Sequence, residues 1–259
     1  MAKSLILYGD TRKFPKSSLY KGLRAAGLRW IDGNKSRAPA KGVHMAWEKY
    51  PECNIRARFA LAIGNSWLMN EHMDSRKDVI ELAHVRAFGY GLAVDPLTYE
   101  GDAVRKSKIN ARHDGCIVRL PIADPMSSKV YQIVIDNSRG GEVEDIRLET
   151  LLGKPVICYI KRRKLGERFL NTLTHSEIVS VGDMLSDLEL LQIEAYCAAA
   201  HLDYGALDIL RDRKTGRIYV CDANNTPRGP PAILSENESA RAQRSIGAAF
   251  AEFLARRAH

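Results

Sequence analysis

The sequence predicts a mixed α/β (α+β) chain, with a small βα-type N-terminal part to about residue 95 ahead of a larger α+β part. Three observations carry this prediction. A buried-strand pattern at residues 5–8 passes through Gly9-Asp10 into an amphipathic helical pattern over residues 17–26. Four short β-rich runs recur between Cys116 and Lys161, each broken off by Gly, Pro, Asn or Asp. Two further apolar runs flank Lys214-Thr215-Gly216, the pattern of a hairpin.

In chain order, another strand is expected at residues 28–31. Residues 32–52 are rich in Lys, Gly, Pro and Asn without a clear period, so they read as a long, partly irregular connection. Residues 74–84 are predicted helical, with Asp74 or Ser75 as cap, Val79, Leu82, Ala83 and Ala87 as the apolar set, and Phe88-Gly89-Tyr90-Gly91 as a glycine exit. The runs at 116–120, 130–135, 146–151 and 156–161 read as antiparallel, hairpin-linked strands. Helical spacing returns over 185–202 (Leu188, Leu191, Ile193, Ala195, Tyr196, Ala199), and a last helix is predicted over 240–256. There is no internal repeat or low-complexity tract.

The 259 residues are 45% hydrophobic and 27% charged with 19 Gly and 10 Pro, proportions that exclude a collagen, a mucin or wholesale disorder. No apolar run approaches the roughly 18–20 residues of a membrane span, and residues 5–8 are too short for a signal-peptide core, so a cytoplasmic protein without a membrane partner is expected. The five cysteines are odd in number and form no C-x-x-C pair. That argues against a disulfide framework or a zinc site and leaves buried or inert thiols. With 39 basic and 31 acidic side chains the net charge is +8, which favours nucleic acid, nucleotide phosphates or an acidic substrate as partner.

The segment from Tyr204 to Pro227 carries the most chemistry. A three-residue loop ending in Gly216 sets Arg213 opposite Arg217, and counting back brings Asp208 opposite Asp222, with Asn224 on the same face. Two facing carboxylates repel unless something positive lies between them. An all-oxygen Asp, Asp, Asn set suits Mg²⁺ or Mn²⁺ bridging to substrate phosphates. The structural alternative makes both aspartates strand-end residues paired with Arg211 or Arg217, and spacing alone leaves both readings open.

These residues resemble a known family. Asp208-Ile-Leu-Arg-Asp followed by Thr215-Gly-Arg-Ile-Tyr-Val-Cys-Asp-Ala-Asn-Asn-Thr-Pro227 resembles the C-terminal metal-binding hairpin of the ATP-grasp superfamily, with Asp222-Ala-Asn224 as its acidic-x-Asn strand end. Tyr131-Gln-Ile-Val-Ile-Asp-Asn137 is similar to the interlobe hinge. Asp145-Ile-Arg147, Lys161-Arg162-Arg163 and Asn171 resemble the basic central section, and the order is kept across residues 100–230. The usual glycine-rich loop has no clear match. Its nearest counterpart is Ile117-Val-Arg-Leu120, with Arg119 where Lys is typical. The N-terminal part is also short for the family.

The resemblance implies an ATP-grasp fold: a pre-ATP-grasp-like domain at 1–95, then an ATP-grasp domain at 96–259, with a central lobe at about 96–135 and a C-terminal lobe at about 136–259. It further implies ATP between the lobes. Asp208, Asp222 and Asn224 would hold Mg²⁺ (or Mn²⁺), and Lys106 and Arg119 would touch phosphates, with Lys108 competing for the Lys106 role. Gln132, Ile133 and Ile135 would meet adenine and Asp136 would lie near the ribose. Arg147 and Lys161 or Arg162 would neutralise charge on the transferred phosphoryl group, with Asn171 as a further catalytic residue. The implied reaction activates a carboxylate as an acylphosphate for attack by an amine or thiol. Partners are then small-molecule or peptide carboxylates and amines, and a homodimer is one expected assembly because dimers are common in the family. Phosphoryl transfer rests on positioning and fixed charge, so a cationic site without a nucleophilic triad agrees with those roles.

Rival readings are an ATP-grasp kinase acting on a hydroxyl, and a noncatalytic nucleotide- or polyanion-binding module. The run Lys161-Arg-Arg-Lys164 also fits a nucleic-acid patch. No recognition-helix signature or aromatic interleaving accompanies it, so a phosphate role inside a cleft is favoured. His113-Asp114-Gly115 reads first as a turn hydrogen bond, and residues 226–231 as a stiff loop and candidate wall of the acceptor pocket.

Overall fold

A computed structural model describes residues 4–35, 41–48 and 54–257 of the protein. Residues 36–40 and 49–52 of the expected irregular connection, and Cys53, lie outside the described residues. The first sheet is built from β1 (Ser4–Gly9), β2 (Trp30–Asp32), β3 (Gly42–Trp47) and β4 (Leu68–Met69), all parallel, in the order β2-β1-β3-β4. Helix α1 (Ser18–Ala25) links the first two strands, and the one-turn helices α2 (Ile55–Arg58) and α3 (Ala60–Ile63) precede the fourth.

The unbroken apolar run of β1 suits a strand covered on both faces, and Leu5, Ile6, Leu7 and Tyr8 are all fully buried. Alternation sends Leu5 and Leu7 into a core shared with α1, while Ile6 and Tyr8 meet Ile55 and Ile63 on the other face. Ser17 caps α1 by accepting the Tyr20 N–H at 3.0 Å.

Helix α4 (Lys77–Phe88) follows, then a three-stranded antiparallel sheet of β5 (Gly101–Ser107), β6 (Cys116–Leu120) and β7 (Lys129–Ile133) in the order β6-β5-β7. The largest sheet takes β8 (Ser138–Arg139), β9 (Glu142–Leu151), β10 (Lys154–Lys164) and β11 (His175–Val179). After helices α5 (Val181–Met184) and α6 (Asp187–Ala199), it adds β12 (Tyr204–Arg211) and β13 (Ile218–Asn224), giving an antiparallel order β11-β10-β9-β12-β13 with β8 pairing β9. Helix α7 (Glu236–Arg256) closes the described chain.

One face of the large sheet packs with α7, α1 and the first sheet: Tyr159 and Tyr204 share a core with Leu5, Leu23, Ile246 and Phe250. The opposite face is covered by α4 and α6 through Leu148, Leu207, Ile80 and Ile193. At the contact of α1 with α7, a Cβ on Gly22 would lie 2.6 Å from Ile246 Cγ2, and one on Gly247 would lie 2.5 Å from the Gly22 carbonyl oxygen. Only hydrogen at these two positions lets the helices approach so closely.

The expected face of α4 is corrected. Leu82 and Val85 are exposed, and the buried side carries Lys77, Ile80, Glu81, Ala83, His84 and Phe88. Its cap differs too: Arg76 occupies the N-cap position without a side-chain cap, while Asp74 bonds the Arg76 N–H at 2.9 Å. The expected C-terminal exit holds, with Gly89 in a left-handed conformation at φ 77°. In α6, Leu188 and Leu191 are exposed and the packed side is Ile193, Tyr196 and Cys197. Both α6 and α7 begin with a capping box, Ser186 with Glu189 and Ser235 with Glu238, so α7 starts four residues before the expected position. No helix among the described residues is long and apolar enough to cross a membrane.

Candidate active site

Strands β12 and β13 bring Asp208 directly opposite Asp222, but not by a uniform count along the hairpin. Near the turn the pairs are Arg211 with Ile218 and Ile209 with Val220. The register then shifts by one between Asp208 and Ile209, where Cys221 is the extra residue of a bulge. The turn also differs from the expected loop: Asp212 pairs with Arg217 (N–H to carbonyl, 2.9 Å) and Gly216 sits at φ 71°. One residue more in the loop and one more in the bulge cancel, which is why the simple count reaches the right pair.

Neither aspartate is paired with Arg211 or Arg217. Arg211 binds Glu189 at 2.7 Å, and Arg217 lies over the Tyr90 ring. Asp208 Oδ1 instead accepts from Arg147 Nη1 at 3.1 Å on the adjoining β9 and from Lys161 Nζ at 2.9 Å on β10. Asp222 Oδ1 accepts from Lys77 Nζ at 2.6 Å, reaching in from the first turn of α4. Burial alone would raise the Asp208 pKa, but the charges of Lys161 and Arg147 outweigh it and hold the carboxyl well below the ordinary carboxylate range. Burial likewise works against charged Lys77, and the facing Asp222 reverses the balance, raising its pKa.

Lys106 on β5 projects into the same cleft, where, among the described residues, its only hydrogen-bond acceptor is the Cys221 carbonyl at 3.2 Å. Burial lowers its pKa, and the neighbouring Lys77 acts in the same direction. An ammonium so placed is stabilised by any anion that enters.

The donor chemistry fits an oxygen-liganded divalent cation in part. Among the described residues, Oδ2 of Asp208 and of Asp222 takes no protein hydrogen bond, so each carboxylate keeps a free oxygen on the cleft side of the hairpin. Asn224 shares that cleft, but its Oδ1 is turned to its own loop and accepts from Thr226 N at 2.9 Å and Thr226 Oγ1 at 3.2 Å. No group of three or more His, Cys, Asp or Glu among the described residues is gathered as for a metal, so the site offers two carboxylates and one carboxamide.

Three adjoining cavities, each sharing lining residues with the next, run along the cleft. At one end, Gln132, Ile133, Ile135, Leu92, Val104 and Leu210 line a small, mostly apolar cavity of about 120 Å³ that also contains Lys106. Gln132 Nε2 lies 3.5 Å from Glu81 Oε2, while Glu81 Oε1 accepts the N–H groups of Leu92 (2.6 Å) and Ala93 (2.9 Å). A central cavity of about 200 Å³ holds Lys77, Lys106, Lys161, Asp208 and Asp222 under the β5–β6 loop, with Asn110, His113 and Asn171 on its wall. Asn171 Nδ2 and His113 Nε2 are 3.1 Å apart. The far end opens into about 760 Å³ bounded by Arg147, Lys161, Asp208, Asp222 and Asn224, by Lys16 and Lys21, and by Thr226 to Ala232.

Thus Lys106, Gln132, Ile133, Ile135, Arg147, Lys161, Asn171, Asp208, Asp222 and Asn224 converge on one cleft. Arg119, Arg162 and Asp136 do not. Arg119 is exposed on β6 and bonds Asp102 at 3.3 Å. Strand alternation turns Arg162 to the face opposite Lys161, where it pairs with Glu144 at 2.8 Å and Glu177 at 3.4 Å. Asp136 bonds Ser138 Oγ at 2.6 Å and closes a local turn. Lys108 pairs with Asp78 at 3.3 Å and leaves the cleft to Lys106. The loop that covers the centre is Asn110 to Gly115, not 117–120, which is strand β6. Asp114 is occupied by the Ser107 N–H at 2.9 Å and by Lys129. Of the cysteines, Cys158 and Cys197 are buried, Cys116 and Cys221 are partly buried, and all four are free.

Lys77 and Glu81 escaped the sequence reading because a Lys and a Glu four apart in a helix look like a solvated pair. The only signal was their period with Ile80, His84 and Phe88.

No protein-family model matches the sequence, and no curated protein matches it. Solved structures do. The ATP-grasp ligase PsnB complexed with a minimal precursor superposes with a TM-score of 0.60 over 100% of both chains at 13% identity. D-cycloserine synthetase DcsG matches at 0.57, with 14% identity over 96% of this chain and 99% of its own. D-alanine–D-alanine ligase from Bacillus anthracis matches at 0.58, with 11% identity over 99% of this chain and 98% of its own. These superpositions extend over nearly the whole of each chain and show the architecture: the chain has the ATP-grasp fold.

Proposed function

We propose that the protein is an ATP- and Mg²⁺-dependent ligase that converts a carboxylate to an acylphosphate, which an amine or thiol then attacks with release of phosphate. The observation that carries this reading is the adjacency of the cavities along the cleft: a mostly apolar hinge cavity, with the carboxamides of Gln132 and Asn137 and the charged Asp145, Arg163 and Arg168 also in its wall, adjoins the cations Lys77, Lys106, Arg147 and Lys161 around two facing aspartates. The apolar cavity suits a purine ring, with Gln132 at its amino edge and Ile133 and Ile135 along it. Lys77 and Lys106 then meet the phosphates, and Arg147 and Lys161 stand where charge gathers on the transferred group.

Asp208 and Asp222 would hold Mg²⁺ through their free oxygens, and Asn224 would join them by releasing Thr226. The metal would neutralise phosphate charge there. In the chain itself, Lys161 and Arg147 keep Asp208 ionised, and Lys77 holds Asp222 by a hydrogen bond at 2.6 Å. The Asn110–Gly115 loop and Asn171 cover the centre and exclude water, which protects an acylphosphate from hydrolysis. PsnB, D-cycloserine synthetase and D-alanine–D-alanine ligase, all named as ligases or synthetases, support this chemistry over phosphorylation of a hydroxyl.

The test is stoichiometric. A ligase releases ADP and free phosphate only when carboxylate and nucleophile are both present. A kinase leaves the phosphate on its acceptor, and a binding module holds ATP without turnover. Asp222→Asn is expected to lower turnover by about 100-fold or more while the protein stays folded. Turnover unchanged in that variant would remove the metal-centred reading.

A further inference from the structure

The wide end of the cleft carries more positive charge than the proposed ATP reaction requires. Its carboxylates are already matched: Asp10 by Arg12 at 2.8 Å, Asp208 by Arg147 and Lys161, and Asp222 by Lys77. Lys13, Lys16, Lys21 and Arg228 line this cavity as well, and among the described residues none of them forms an ion pair. None lines the hinge cavity or the central one, so these cations stand beyond the proposed phosphate centre, at the end remote from Gln132.

Their convergence is built by the backbone. Lys13 and Lys16 lie in the short turn of helix before α1, and Lys21 lies within α1. Arg228 comes from the loop just past Asn224. Ser17 and Arg228 form a β-bridge, and the Ser18 N–H donates to the Pro227 carbonyl at 3.2 Å. That loop is thereby fixed against the start of α1, and cations more than 200 residues apart in sequence face one space. Like charges gathered around a concave space raise its positive potential and favour a multiply charged anion there.

We infer that the substrate seated at this end carries a second anionic group, a carboxylate or a phosphate, in addition to its reacting carboxylate. Lys16, Lys21 and Arg228 receive that group, while the reacting carboxylate lies toward Arg147 and Lys161. This rests on the ligase reading for which group reacts, but the anion preference itself does not.

The test titrates the protein calorimetrically with tricarballylate, O-phosphoserine and butyrate, with and without Mg²⁺ and a nonhydrolysable ATP analogue. Tricarballylate or phosphoserine is expected to bind at least about tenfold more tightly than butyrate, with affinity falling as salt rises. The stronger of the two identifies a carboxylate or a phosphate as the second group. Lys21→Gln and Arg228→Gln, each checked for folding by thermal melting, are expected to erase the preference. Equal binding of all three compounds, no binding of either polyanion, or a preference that survives both substitutions would overturn the inference. Failure of the nucleotide analogue to bind, with the anion preference intact, would instead count against the ligase reading alone.

Discussion

Glu149 shows how far a residue's setting can depart from its sequence context. It lies on β9 two residues from Arg147 and is fully buried. Its Oε2 accepts from Ser18 Oγ and Tyr204 Oη, both at 2.9 Å, while Oε1 has no hydrogen-bond partner among the described residues. A Cβ on Gly229 would come within 3.7 Å of Oε1, so the carboxyl lies directly behind the loop that walls the cleft. Burial raises its pKa, and the Arg147 charge with the two hydrogen bonds only partly opposes this. A carboxyl with a raised folded pKa favours folding below its unfolded pKa and loses that advantage as pH rises through the folded value. Glu149→Gln is therefore expected to flatten the decline in stability from acidic to neutral pH, read as Tm against pH. An unchanged profile would mean that folding does not shift the Glu149 pKa. Nothing in the sequence marks Glu149, because its partners lie 131 and 55 residues away. Asp208 and Asp222 were legible because one hairpin fixes both.

At the scale of elements, α4 is where pattern and structure part most. The sequence predicts the helix and its glycine exit, but its apolar pattern does not mark the polar residues that the helix buries. Lys77 and Glu81 are buried because each meets a partner on another element: Asp222 for Lys77, and the backbone after the helix for Glu81. Among the described residues, His84 has no hydrogen bond at either ring nitrogen, and it stacks on Phe88 with ring centroids 4.4 Å apart. Burial pushes its pKa down to about 4. The unfolded chain then binds a proton that the folded chain refuses, so stability should fall by roughly 3 kcal/mol as pH drops from above 6.5 toward 4. His84→Leu should remove most of that slope in denaturant titrations, and an equal slope in both proteins would refute the assignment. The seam of α1 and α7 makes a second prediction. Gly247→Ala places a methyl 2.5 Å from the Gly22 carbonyl, and should destabilise the protein by about 1–3 kcal/mol in the same titrations. A neutral result would show that the two helices are free to separate.

Across the whole molecule, the ordered motifs of the large sheet and hinge were enough to indicate the fold, because each is local and their order along the chain survives low identity. What escaped sequence reading was assembled at long range. Lys77 enters the cleft from a helix packed on α6 and β13, and the basic wall joins the start of α1 to the loop after β13. Arg119 and Arg162 were misplaced for the opposite reason: within a strand, one position decides between cleft and solvent. The +8 charge thus has a local meaning: at the wide end of the cleft the cations form no ion pair among the described residues, and around Asp208 and Asp222 they are paired.

The central claim is that the two facing aspartates and the cations around them form an Mg²⁺-dependent ATP site. It is tested most directly by calorimetric titration with ATP, with and without Mg²⁺, on the wild type and on Asp208→Asn combined with Asp222→Asn. Thermal melting confirms that the variant is folded. The account predicts ATP binding that Mg²⁺ strengthens in the wild type and no longer strengthens in the folded variant. Absence of ATP binding by the wild type, or equal Mg²⁺ dependence in both proteins, would contradict it.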